Sequence, residues 1–361
     1  MANIEKLHVL KFRNLTDQYL LPNNNINVIL GQNGQGKTNF IESIYYLGHG
    51  RSFKTKSLKD IIPFDGQQIK ISAVVDKQKI SINKTRDKSD VLIEEEKITS
   101  NSFLSQILPI QVISPDRGFV VGGSPKLKRS YLDWGVFHNN NATLKIYKTY
   151  KKTLKNINAL LTTGSHIELE GWFTQFANLS VEITNHRISY TEKLRDALER
   201  ESESKLDSLI KSNDTFYFQI QTGWPKEVNP RSQKQIFEYL LKNKKTFLKT
   251  KYLSYGPHRA NIEYFLNNKN ENHLSRGEQK KMSIVFWLLQ VLVLVDNKIK
   301  PIILIDDISS ELDYNKIKSI INYLTEIDIQ IFITDIGNKG LPLNTEKSTI
   351  FEIKNGVLEA V

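Results

Sequence analysis

The chain of 361 residues carries 50 Lys plus Arg against 39 Asp plus Glu, a net charge of +11, and it contains no Cys. At about 150 residues per domain this length gives two to three domains, and a 39% hydrophobic, 25% charged composition excludes a disordered or collagen-like chain. The missing Cys excludes disulfides, thiolate zinc sites and Cys-held iron–sulfur clusters, while the positive balance favours a polyanionic partner such as nucleic acid.

The first fifteen residues interleave Glu5, Lys6, His8, Lys11 and Arg13 with apolar positions and lack the apolar core of a secretory signal, so a cytoplasmic protein is expected. Ile26 to Leu30 is a short β-branched run that reads as a strand. Gly31, Gln32, Asn33, Gly34, Gln35, Gly36, Lys37 and Thr38 follow it with the spacing G-x-x-x-x-G-K-[ST], and a helical pattern continues through Ile41, Ile44 and Leu47. Glycines at these positions let successive backbone N–H groups turn inward on phosphates, and the helix N-terminus adds a favourable dipole. Lys37 is placed to reach the β- and γ-phosphates of a nucleotide, and Thr38 to ligate Mg²⁺. ATP and Mg²⁺ are the expected cofactors.

Residues 69–98 alternate as short strands through Ile69, Ile71, Ala73 and Val75. Tyr147, Tyr150, Leu154, Ile157 and Leu161 then mark an amphipathic helix, with Lys145, Lys148, Lys152 and Lys155 on its other face. A second stripe from Trp172 to Leu194 suggests an arm folded back on the first. The lysine face is either a solvated surface or a phosphate-backbone contact, and further clusters at Arg51, Lys54 and Lys56, at Lys126, Lys128 and Arg129, and at Lys242, Lys244 and Lys245 favour the latter. No base-reading motif appears, so such contact is sequence-independent. Asn267 to Asn272 reads as a polar loop.

Leu274-Ser275-Arg276-Gly277-Glu278-Gln279 opens a strongly apolar helix. Ser275 with Glu278 is either a plain capping box or an anion-binding helix start. The apolar stretch Ile284 to Val295 has 12 residues, well short of the ~20 that span a bilayer, so no membrane partner is expected. Pro301-Ile-Ile-Leu-Ile-Asp306-Asp307 reads as a buried parallel strand with carboxylates at its C-terminal edge. These two acids are a helix cap or, given the upstream phosphate loop, a Mg²⁺ carboxylate at Asp306 and a water-polarising one at Asp307. Ser310-Glu311-Leu312-Asp313 follows directly.

Phosphate loop, signature, acidic pair and Ser310–Asp313 as a D-loop together resemble the ABC-type ATPase heads of the SMC-like group. Further stretches narrow the resemblance to the RecF family of bacterial recombination mediators: Phe12-Arg13-Asn14, Leu47 to Phe53, Ser124 to Trp134, Gly256-Pro-His-Arg259 and Leu304 to Asp313. The resemblance implies an α/β P-loop head, residues 1–125 and 246–361, split by a helical arm lobe at 126–245. It implies a weak, DNA-stimulated ATPase used as a switch, which dimerises on ATP, binds duplex DNA near single-strand gaps and works with RecR and RecO to load RecA. In the implied dimer Ser275 and Gly277 act on the nucleotide of the other copy, and Phe12 to Asn14, with Arg13 as the cofactor-binding residue, lie near the base and sugar. The site thus comprises Lys37, Asp307 and Ser275 as catalytic residues, with Thr38 and Asp306 on the metal. Two departures point to slow hydrolysis: Asp307 stands where most such heads have Glu, and no switch His follows the strand ending at Thr334-Asp335. The alternatives are a transporter ATPase subunit and a structural SMC-like DNA clamp; a small GTPase lacks its guanine motif here.

Overall fold

This computed structural model describes residues 2–64, 66–98, 100–114, 118–164, 168–202, 214–307, 314–337, 341 and 347–361. Two compact units divide the chain: Met1–Gly118 with Glu201–Ser212 and Ile284–Val361, and Phe119–Arg200 with Asn213–Ser283. The second unit reaches beyond the 126–245 range at both ends.

The first unit begins with β1 (Ile4–Leu10), β2 (Asp17–Leu20), β3 (Ile26–Leu30), α1 (Lys37–His49), β4 (Gln68–Val75), β5 (Gln78–Thr85), β6 (Ser89–Ile93), β7 (Glu96–Lys97), α2 (Asn101–Ile107) and β8 (Ile110–Ile113). The second contains α3 (Pro125–Asn139), α4 (Thr143–Thr163), α5 (Leu169–Ser202), β9 (Phe216–Gln221), α6 (Gln233–Lys242), α7 (Lys244–Thr250), β10 (Asn261–Leu266) and β11 (Lys269–Asn270). Helix α8 (Arg276–Asp296) leads the chain back to β12 (Ile302–Ile305), α9 (Tyr314–Glu326), β13 (Ile331–Asp335), β14 (Ser348–Lys354) and β15 (Val357–Ala360).

The first unit is built on two sheets. β12 and β13 are buried at every position and β3 at all but its last, as strands covered on both faces must be, and they join β14 and β8 in a parallel array of order β15-β14-β3-β13-β12-β8 with only β15 antiparallel. The other sheet, β2-β1-β4-β5-β6-β7, is antiparallel and alternates: in β4, Ile69, Ile71, Ala73 and Val75 are buried, the pattern of a sheet with one core face. Helix α1 fills the core through Phe40, Ile41, Ile44 and Leu47, all fully buried.

In the second unit α4 and α5 form the expected arm, with Tyr150, Ile157 and Leu161 meeting Phe173, Phe176 and Ile183 in one core. The lysines at 145, 148, 152 and 155 are exposed. This unit also holds a small antiparallel sheet, β11-β10-β9, that local patterning does not announce, because β9 finds its partner more than forty residues downstream. The polar loop expected at Asn267–Asn272 is instead a tight hairpin: Asn267 and Asn268 take the left-handed conformation, φ 50° and 63°, that such a two-residue turn requires, and β11 and a short 3₁₀ turn follow. His258 of the Gly256–Arg259 stretch has a structural place. Its Nε2 faces the Leu253 carbonyl at 3.0 Å and so donates, leaving Nδ1 to accept from the Tyr150 hydroxyl at 2.8 Å, and burial pushes its pKa down to about 4.

One basic cluster dissolves in the structure. Lys128 is buried and ion-paired with buried Glu271, whose second oxygen accepts from the Gly122 N–H at 2.7 Å. Arg129 donates to the Ala260 carbonyl at 2.9 Å. Of this cluster only Lys126 is exposed, because a helix places side chains two apart on different faces. Lys128→Met strands the Glu271 carboxylate and is expected to cost about 3–5 kcal/mol of stability, read as a fall in the denaturation midpoint of the purified protein. An unchanged midpoint contradicts the pairing.

Candidate functional site

The order of the parallel strands decides which side chains meet. β13 lies between β3 and β12, and β8 borders β12, so their C-terminal ends share one edge, the edge at which open α/β sheets bind ligands. Ile305 is in register with Ile333 on one side and Ile113 on the other. One residue further along, Thr334, Asp306 and Ser114 therefore stand in a row. Buried Asp306 accepts on Oδ1 from the hydroxyls of Thr38, at 3.0 Å, and Thr334, at 2.7 Å, and on Oδ2 from Ser114 at 3.4 Å. The Thr334 hydroxyl in turn accepts from the Asp307 N–H at 2.8 Å. Asp307 has φ 52°, a backbone conformation that a non-glycine residue holds only where its surroundings impose it.

The phosphate loop joins β3 to α1 as the spacing predicts, with Gln32, Asn33 and Gly34 exposed at its tip. Glycine is required at Gly31, where a Cβ would sit 2.6 Å from the Ile353 carbonyl, and at Gly36, which has φ 114° and would meet the Asn14 amide at 2.9 Å. Gln35 accepts on its side chain from the Asn355 N–H at 2.5 Å and on its carbonyl from the Gly356 N–H at 3.0 Å, fastening the loop to the β14–β15 turn. Lys37 donates to the carbonyls of Gly31 and Gln32 at 2.7 and 3.0 Å. Burial lowers its pKa below the ordinary lysine value, against the opposing pull of Asp307, Asp306 and Asp335.

Phe12-Arg13-Asn14 borders the loop through Asn14, which donates to the Gln35 carbonyl at 3.3 Å and accepts from Asn39 at 2.8 Å. The Arg13 guanidinium is engaged elsewhere. Its Nε and Nη2 donate to fully buried Glu42 at 2.6 and 3.0 Å, and its Nη1 to the Asp60 carbonyl at 2.9 Å.

Ser275 and Gly277 belong to the second unit. The capping box is formed: the Ser275 N–H donates to the Glu278 carboxylate at 2.7 Å, and the Ser275 hydroxyl accepts from the Glu278 N–H at 3.3 Å. Hydrogen bonds from the Ser275 N–H and the Ser275 hydroxyl hold the Glu278 carboxyl below the usual range. Capping uses a lone pair of the serine oxygen, and its O–H proton, directed here at the Glu278 carboxylate, can rotate to an outside anion, so the two readings of this hexapeptide are compatible. Gly277 is exposed, and a Cβ there would meet nothing within 4 Å of this chain. The D-loop stretch Ser310–Asp313 lies outside the described residues.

Reasoning from sequence did not find Ser114 and Thr334 as site residues, nor Asp335, buried at the end of β13 with its carbonyl 3.3 Å from the Gly31 N–H. Only the strand order, which no local pattern carries, brings them to the loop. Thr38 and Asp306 offer two hard oxygen donors within 3.0 Å of each other, a pair suited to Mg²⁺, which keeps waters and phosphate oxygens for its other positions. Among the described residues no group of three or more acidic or His side chains gathers to hold a metal by itself.

A phosphate loop, an acid at the end of a parallel strand of the same sheet and a capped signature helix define the ABC-type head of P-loop ATPases. The RecF/RecN/SMC N terminal domain pattern matches residues 3–359. The chain is 32% identical over 367 residues to the DNA replication and repair protein RecF of Actinobacillus pleuropneumoniae serotype 5b, covering 98% of this chain and 99% of that one. It is 30% identical over 367 residues to the RecF of Haemophilus influenzae, with 99% of each covered. A solved structure of the recombination mediator protein RecF-ATPrS in the RecFOR pathway superposes with a TM-score of 0.85 at 25% identity, covering 100% of this chain and 98% of that one. An Smc head domain from Pyrococcus furiosus, at 16% identity and a TM-score of 0.56 over 100% of this chain and 96% of its own, shares the fold. The chain therefore belongs to the RecF family of DNA replication and repair proteins.

Thr334→Val removes the hydroxyl that Asp306 and the Asp307 N–H share. Stability is expected to fall by about 1–3 kcal/mol and the Mg²⁺ concentration needed for nucleotide binding to rise, measured by nucleotide titration at stepped Mg²⁺. An unchanged Mg²⁺ requirement would remove Thr334 from the site.

Proposed function

We propose that this chain is an ATP-driven switch in recombination mediation: ATP closes two copies into a dimer that binds duplex DNA near single-strand gaps and, with RecR and RecO, helps load RecA. The observation that supports it most is the Thr38–Asp306–Thr334 row beside a phosphate loop, on a chain that matches its RecF relatives end to end. Lys37 would hold the β- and γ-phosphates, and Asp307 would orient and polarise the attacking water. Mg²⁺, held by Thr38 and Asp306, would neutralise charge on the phosphate oxygens. Ser275 would turn its hydroxyl proton from Glu278 to the γ-phosphate bound by the other copy, and bare Gly277 leaves room for that approach. Arg13 supports the site through Glu42 on α1.

On the DNA side the reading draws on α4, which carries exposed Lys145, Lys148, Lys152 and Lys155 and no acidic residue. Helix α7 packs beside α4 and adds exposed Lys245, while Lys244 is half-buried against Glu170 at 3.5 Å. Together they favour backbone phosphates without base readout. Aspartate in place of the longer Glu at position 307, fixed at positive φ, favours slow turnover and keeps a clamp that scarcely hydrolyses ATP as the second reading.

Light scattering of the purified protein tests the switch: the mass should double with Mg-ATP and rise again with gapped duplex DNA, and a monomer indifferent to both overturns the reading. Ser275→Ala should keep ATP binding and lose the ATP-driven dimer. Asp307→Asn separates switch from clamp; turnover should drop at least tenfold, and unchanged turnover removes Asp307 from catalysis.

A further inference from the structure

Ser275 stands on an exposed helix start. Ser275, Arg276, Gly277 and Glu278 are all exposed, whereas α8 is buried at every position from Met282 to Leu294, so packing holds the body of the helix and not its first turn. The capping box does not anchor that turn either, because Ser275 and Glu278 are partners of each other and move together. What fixes the serine on its unit must come from outside residues 275–278.

Gln279 and Glu271 bracket it, one four residues after the serine and the other four before. The Gln279 N–H donates to the Ser275 carbonyl at 3.0 Å, and its side-chain Nε2 reaches back to the Glu271 carbonyl at 2.9 Å, which also accepts from the Leu274 N–H at 3.3 Å. Glu271 is itself fixed. It is buried, and its carboxylate takes Lys128 of α3 and the Gly122 N–H at 2.7 Å. The stretch 119–122 returns to α8 at two further points: Val121 donates its N–H to the Ser283 hydroxyl at 3.0 Å, which donates to the Gln279 carbonyl at 2.8 Å, and the Lys280 ammonium lies 5.5 Å over the Phe119 ring. Gly122, at φ 73°, packs directly on the Gln279 amide, where a Cβ would come within 2.6 Å of it.

We propose that Gln279, anchored on Glu271, is a positioning residue for Ser275, which it holds at the place from which the serine reaches the γ-phosphate bound by the other copy. This deepens the reading of Ser275 above and rests on it. A donor that meets a phosphate on a separate molecule has no tether to it, so its place on its own scaffold sets the fit, and a displacement of about 1 Å can cost about 10²-fold. The body of α8 stays buried whether or not Gln279 makes its bond. Loss of the brace is therefore felt at Ser275 before it is felt by the fold.

The test reads position and association separately. The chain has no Cys, so Arg276→Cys carries a single nitroxide beside Ser275, and Lys148→Cys carries a control label on α4. Gln279→Leu removes the donor at nearly constant bulk; it should sharpen the spin-label spectrum at 276 and leave that at 148 unchanged, with no nucleotide present. In the unlabelled full-length protein the same substitution should leave binding of a fluorescent ATP analogue by the monomer as it was and the unfolding temperature within about 4 °C of the parent's. The dimer dissociation constant in Mg-ATP, from light scattering over a concentration series, should rise about tenfold, roughly threefold at each of two equivalent sites. Gln279→Met repeats the test with an unbranched side chain, in case leucine disturbs the turn. A parent that forms no dimer with ATP defeats the Ser275 reading itself. Variants that dimerise as tightly as a dimerising parent overturn the positioning role alone, and so do variants that dimerise poorly with the label at 276 no more mobile than before.

Discussion

A buried carboxylate must be neutralised or saturated with hydrogen bonds, and that requirement at Asp306 organises the head. Asp306 meets it with three hydroxyls drawn from α1, β13 and the end of β8. Each donor is available only because β13 inserts between β3 and β12 and β8 lies outside β12. A different strand order would leave the charge unsatisfied in a parallel sheet covered on both faces, at a cost of several kcal/mol. The same arrangement aims the carboxylate at the phosphate-loop threonine, so the contact that secures the fold also brings together the two oxygens proposed to hold Mg²⁺.

The glycine loop obeys a second constraint, close approach. Gly31 and Gly36 admit no side chain, because the β14 backbone and Asn14 occupy the space that one would need. Gln35 then ties the loop to the β14–β15 turn. These contacts come from the last residues of the chain and from the turn after β1, so the loop is shaped by segments far from it in sequence. Preorganisation of this kind lowers the entropy lost when phosphates bind.

How far the sequence was legible follows from how local each signal is. Strand, loop and helix around Lys37, the buried run ending in Asp306–Asp307, the two arm helices and the capped Ser275 all carry their pattern within a dozen residues, and all stand where the spacing puts them. Thr334, Ser114 and Asp335 gain their place from strand order, and β9 gains its partner from β10, neither of which has a local signature. Lys128 shows the converse. Charge alone made it part of a basic surface, yet its helical phase turns it inward to Glu271. Within the Phe12–Asn14 stretch it is Asn14 that touches the loop, because the Arg13 fork is satisfied by Glu42.

That fork carries a further consequence. Fully buried Glu42 sits on the helix that begins with Lys37 and receives both Arg13, from the end of β1, and Ser52, from the basic turn after α1. Removing either partner would leave a buried charge short of donors, so the two segments are bound to one helix by a common electrostatic need. The segment beside the phosphate loop and residues 52–57 are thus held to one helix by a single carboxylate.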